Sequence, residues 1–189
     1  MAGGQSGNAA VYRSGGWCAV VAGQTSKGDI VKLGYIQCAD RGQSDRILHH
    51  LATALRPSVI SMTAPDADNG LMLHLWPDNI RVDISQNLGT QAGCTLDAGA
   101  LEQAVAVMQR ALERAPAGTP LIVNKFGKRE AEGHGARSLI AEALSRDHPV
   151  ILAVPAPTDA AFHAFAPDLG QKLLPDFQSL MDYLDVTRR

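Results

Sequence analysis

Aromatic residues are scarce in this chain, at 5% of 189 positions, which removes the stacking platforms that hold single-stranded nucleic acid. An excess of basic charge is missing too. Lys and Arg number 17 against 19 Asp and Glu, giving a formal charge of -2, so no nucleic-acid partner is expected. Only three cysteines occur, Cys18, Cys38 and Cys94, and their wide spacing supports neither a disulfide framework nor a CxxC metal site. Reduced thiols in a bacterial-type cytosol fit that pattern. No apolar run approaches the ~18 residues of a membrane span, and residues 1–16 are small and polar without the apolar core of a secretory leader. The expectation is a cytoplasmic protein with no membrane partner, preceded by a flexible tail over 1–16.

What is abundant is alanine, glycine and short aliphatic side chains, with 46% hydrophobic and 19% charged residues. A length of 189 is enough for one domain with a continuous core, expected here over 17–189. Short apolar runs at 17–22 and 30–38 flank a Gly, Ser and Thr turn and read as strands. Ser44 is positioned to cap a helix through Ile47, Leu48, Leu51 and Leu55, which Pro57 stops. A strand is expected at 58–62, a turn at 64–70, and a hairpin from 71–76 and 80–85, the second arm alternating as an edge strand does.

From Asp97, the residues Leu101, Ala104, Val105, Met108, Ala111 and Leu112 recur at helical spacing, and Pro116 and Gly118 close the helix. The strand 121–123, helix 136–145 and strand 150–154 form a βαβ unit, expected to be parallel and right-handed. Two short helices, 159–165 and 177–184, complete the pattern. The fold class is α/β: three layers, a mostly parallel sheet flanked by helices, with an antiparallel edge hairpin.

An open parallel sheet binds ligands outside the carboxyl ends of its strands. Two glycine-rich segments occupy such positions. The first, 86–97, contains Gln86, Asn87, Gly89 and Gly93 and enters a helix capped by Thr95 or Asp97. The second, 124–135, contains Asn124, Lys125, Gly127, Lys128, Arg129, Glu130, Gly133 and Gly135. Its glycines permit close backbone approach, the following helix offers unpaired N–H groups, and Lys125, Lys128, Arg129 and Arg137 add positive charge. That composition suits an oxyanion or phosphate. Glu130 and Glu132 either neutralise those bases or coordinate a hard cation such as magnesium. The competing reading is a solvated loop whose charges pair among themselves and whose glycines merely turn the chain.

Other candidates are weaker. His49 and His50 diverge on a helix and cannot share a metal, and His74, His134, His148 and His163 lack ligand spacing. Within the second loop, His134 is placed to contact an anion or move a proton. Cys94 has no identifiable base partner and reads as a small buried thiol. No catalytic residue is assigned, and cofactor and metal stay open.

A P-loop is absent. Neither 23–28 nor 40–45 has the GxxxxGK[ST] order, and Asn124-Lys125-Phe126-Gly127 has glycine where the guanine-reading NKxD motif needs its carboxylate.

The two glycine segments resemble the hallmarks of the bacterial DUF2478 family, an ISQDLG-x-G-x-x-GC-x-LD stretch and an NKFGK-x-EA-x-G-x-G stretch. Here they read Ile84-Ser85-Gln86-Asn87-Leu88-Gly89, Gly93-Cys94-Thr95-Leu96-Asp97 and 124–135. Asn87 replaces the usual aspartate and Gln91 a frequent glycine. The resemblance implies a fold like the P-loop nucleoside triphosphatases without a Walker A loop, and an association with molybdate transport or molybdenum enzymes. In the related triphosphatases the strand holding 121–123 would end in an Asp-Glu pair for magnesium, whereas this chain has Asn124 and Lys125. The expected function is therefore non-hydrolytic binding of a small anionic ligand, molybdate or a phosphorylated metabolite. Two alternatives stand beside it: a degenerate magnesium-dependent nucleoside triphosphatase using Glu130 or Glu132, and an adaptor that binds a protein through the hairpin at Trp76. A homodimer or a molybdenum-related protein partner is the expected association.

Overall fold

The computed structural model describes residues 32–40, 42–65, 71–87 and 94–187. The strand expected at 17–22 and the tail at 1–16 lie outside these residues. Strand β1 (Leu33–Ile36) leads into helix α1 (Gln43–Ala54), β2 (Ile60–Thr63) and the hairpin β3 (Met72–Trp76) and β4 (Ile80–Asp83). A second small hairpin, β5 (Ser85–Asn87) and β6 (Cys94–Leu96), precedes the long helix α2 (Ala98–Arg114). Next come β7 (Leu121–Val123), the one-turn helix α3 (Lys128–Ala131), α4 (Arg137–Ser145) and β8 (Val150–Ala153). A 3-10 turn over Ala156–Thr158, helix α5 (Asp159–Phe165), β9 (Gly170–Lys172) and α6 (Phe177–Thr187) complete the order.

Seven strands form one sheet in the order β4-β3-β2-β7-β8-β1-β9, with β2, β7, β8, β1 and β9 parallel and the β3–β4 hairpin antiparallel at one edge. Strands β1, β2, β7 and β8 are short and buried on both faces, so they are largely apolar, whereas β9 at the edge is polar and exposed. Their side chains alternate between two cores. Leu33, Tyr35, Leu121, Val123, Val150 and Leu152 pack on the layer containing α2, α4 and α5. Ile36, Ile122, Ile151 and Ala153 pack on α1 and α6. All six apolar residues of the α2 stripe are buried, as their spacing requires. Gly34 lies where a Cβ would come within 2.7 Å of Leu173 and 2.9 Å of Tyr183, so α6 can close on β1 only over a glycine.

Four local expectations are corrected. Ser44 does not cap α1; Gly42 does, at φ 74°, with no side-chain cap, and Ser44 lies in the first turn. Segment 86–97 is not a plain loop, because Ser85, Gln86 and Asn87 pair antiparallel with Leu96, Thr95 and Cys94. Segment 124–135 contains the turn of α3. Finally, β9 is an edge strand that the polar run Gly170–Lys172 did not announce, recruited by parallel pairing to β1.

Candidate functional site

Counting only the parallel strands in chain order, the sheet runs 2-3-4-1-5, unlike the dinucleotide order 3-2-1-4-5-6 or the flavodoxin order 2-1-3-4-5. The connection from β1 passes to the β2 side, and the connection from β8 passes over β1 to β9. The topological switch point therefore lies between β1 and β8, where doubly wound sheets place a ligand. Side chains close it here. Gln37 Nε2 donates to Asp159 Oδ1 at 2.6 Å, and Lys172 Nζ donates to Gln37 Oε1 at 2.7 Å. The Cys38 thiol is pushed up by burial and then by the Asp40 and Asp45 carboxylates. Sequence reasoning missed this cluster because its members come from four separate segments.

The second glycine segment lies at the carboxyl end of the neighbouring β7 and is pinned along its length. Asn124 is buried and its Oδ1 accepts the Ala64 N–H at 3.3 Å, tying the ends of β7 and β2 together. Phe126 is fully buried against Phe162 and Phe165, its N–H donates to Ala153 O at 2.8 Å, and its carbonyl accepts the Thr158 hydroxyl at 2.6 Å. Between these anchors Lys125 is exposed, with no bonded partner among the described residues.

Glu130 is 5% exposed, and its two carboxylate oxygens accept the Gly127 N–H at 2.8 Å and the Ala136 N–H at 2.9 Å. The Gly135 N–H donates to Glu102 Oε1 at 2.9 Å from the first turns of α2. Donors expected to face a ligand are thus filled by the chain's own carboxylates. Gly135 has φ +59° and a Cβ there would collide with Glu130 Oε1, so this position needs glycine. Gly133 also has a positive φ, at +94°, but stands in open space.

The charges pair much as the competing reading holds. Lys128 Nζ is 3.8 Å from Glu132, and Arg129 is 3.9 Å from Glu102 and 3.5 Å from Glu132. The Lys128 side chain is 87% exposed, so its ion pair is weakly held. Arg137 donates to the Glu130 carbonyl at 3.3 Å and lies over the Phe165 ring. His134 is exposed.

The first glycine segment meets the second through α2. Asp97 caps that helix by accepting the Ala100 N–H at 3.0 Å, and Glu102, one turn on, reaches Gly135 and Arg129. Gln86 is exposed on β5, and Asn87 is the last residue of that strand. Gly89 and Gly93 lie outside the described residues. Among the described residues no three His, Cys, Asp or Glu side chains converge as a metal-binding group. No helix among them is long and apolar enough to cross a membrane.

The family model "Protein of unknown function (DUF2478)" matches residues 33–183, which takes in every strand of the sheet. The chain belongs to the DUF2478 family. It is also similar to the molybdenum import ATP-binding protein ModC 2 of Bradyrhizobium diazoefficiens, with 36% identity over 94 residues. That match covers 49% of this chain and 10% of the relative. No solved structure gives a significant match. In this DUF2478 member the architecture is P-loop NTPase-like, while the Walker A sequence is absent and β7 leads into Asn124 and Lys125 rather than carboxylates.

Proposed function

We propose that this DUF2478 protein binds an oxyanion without hydrolysing a nucleotide and serves molybdenum metabolism, with molybdate as the leading ligand. The carrying observation is Lys125, an exposed cation with no bonded partner among the described residues, held between buried Asn124 and Phe126 at the carboxyl end of a parallel strand. The similarity to a molybdenum import ATP-binding protein supports the association with molybdenum. Lys128 adds a second charge when a ligand outcompetes its loose contact with Glu132, and Gln86 and Asn87 are assigned hydrogen bonds from the neighbouring hairpin. Arg129 and the glycines Gly127, Gly133 and Gly135 shape the loop, and Gly89 and Gly93 are assigned to the same ligand from the sequence.

Hydrolysis is disfavoured on chemical grounds. Phosphoryl transfer needs a cation to neutralise the phosphates and a group to orient water. In this chain the residues after β7 are an amide and an amine, and Glu130 is committed to two backbone N–H groups. The reading is tested by calorimetric titration of molybdate into the wild type and the double variant Lys125→Ala, Lys128→Ala. Saturable binding weakened about tenfold or more is expected for loss of charge-assisted contacts. Equal affinity in both proteins would remove the proposal.

A further inference from the structure

A second concentration of basic groups lies on the α1 face of the sheet and draws its side chains from elements other than the glycine segments. Thr63, His74 and Arg81 are successive register partners across β2, β3 and β4, so their side chains project from one face. Helix α1 adds His49, whose Nδ1 lies 3.0 Å from the Thr63 hydroxyl and whose ring centre is 5.8 Å from that of His74. Arg56 follows α1 and donates from Nη2 to His74 Nδ1 at 3.1 Å, while its guanidinium lies over the Trp76 ring at 4.5 Å. Since an arginine can only donate, His74 accepts at Nδ1 and donates from Nε2 to Asn79 Oδ1 at 2.8 Å.

This network fixes the arginine fork but leaves it incomplete. Arg56 Nε is buried with no hydrogen-bond partner, and a buried donor left without an acceptor is costly. Among the described residues neither Arg56 nor Arg81 forms an ion pair with a carboxylate. The acid on the same face of β4, Asp83, instead accepts the Ser85 N–H at 2.8 Å. His49 is held below its ordinary value by burial first and then by His74, Arg56 and Arg81.

We propose that His49, Arg56 and Arg81 form a binding site for a phosphate-class oxyanion, free or esterified, on the α1 side of β3 and β4. Their donors come from three elements around the His74 ring, which suits a tetrahedral anion better than a planar carboxylate. Arg56 is pre-oriented by Trp76 and His74, and Arg81 is exposed on β4. The inference is independent of the loop at Lys125 and goes beyond the reading given there.

The test follows the imidazole resonances of His49 and His74 by long-range proton–nitrogen NMR on the full chain, titrated with inorganic phosphate at constant pH and low ionic strength. Saturable shifts are expected in the wild type and in Lys125→Ala. In Arg81→Ala the dissociation constant should rise about tenfold, the loss of one charge-assisted hydrogen bond, and Arg81→Lys should recover part of that loss. Arg81 is exposed on an edge strand, so its replacement leaves the fold intact. Absence of saturable shifts in the wild type would overturn the proposal. So would equal affinity in Arg81→Ala, or shifts that vanish in Lys125→Ala, because the anion would then sit on the glycine loop. If the wild type shifts with phosphate but not with glucose 6-phosphate, the site takes free phosphate, and shifts with both extend it to esters.

Discussion

Glu130 accepts two backbone N–H groups, so Glu130→Ala strands both donors at Gly127 and Ala136. Each buried donor left unpaired costs about 1–3 kcal/mol, and urea unfolding should register a loss of at least about 2 kcal/mol. A change below about 0.5 kcal/mol would show that water replaces the carboxylate without penalty. His49 gives a pH dependence whose sign follows from its lowered value. The unfolded chain protonates first as pH falls, so this contribution to stability is complete above about 6.5 and is lost as pH drops through the lower folded value. His49→Gln should therefore flatten the fall in melting temperature between about pH 7 and 5; an unchanged slope would locate that titration elsewhere. At this scale the sequence made residue types legible but not their commitments. Lys125 and Glu130 both appear as charges in a glycine loop, and only the turn-back of 127–136 decides that one faces outward and the other is buried.

Among the elements, α2 was legible from end to end, from the Asp97 cap through the six-residue apolar stripe to the stop before Pro116. Asp97→Ala should lower stability by about 1 kcal/mol in the same unfolding measurement, the usual cost of an N-cap; no loss would mean that the cap bond is replaced. The βαβ unit and the edge hairpin were equally plain, because apolar runs bounded by Gly, Pro, Asp and Asn leave few other readings. What stayed hidden depends on pairing at a distance. Gln86 and Asn87 carry no apolar alternation, and their strand exists through its register with Thr95 and Cys94. Gly170–Lys172 becomes a strand because β1 offers it an edge. At α1, the positive φ of Gly42 supplied a helix start that Ser44 seemed to offer.

For the whole molecule, layering followed from composition and periodicity, but strand order did not. That order places the switch point between β1 and β8, where Gln37, Asp159 and Lys172 interlock and carboxylates surround Cys38. Those side chains bond to one another at that crevice. An exposed basic residue, Lys125, stands one strand over at the carboxyl end of β7. The family match spans this frame. The proposed oxyanion binding without nucleotide turnover is tested most directly by a thermal-shift series. The purified protein would be heated with molybdate, tungstate, sulfate, phosphate and common nucleotides, each with and without magnesium, since selective binding to the native state raises the melting temperature. A rise with molybdate or tungstate that needs no magnesium and is lost in Lys125→Ala, Lys128→Ala is the expected result. A magnesium-dependent rise confined to nucleotides would contradict it.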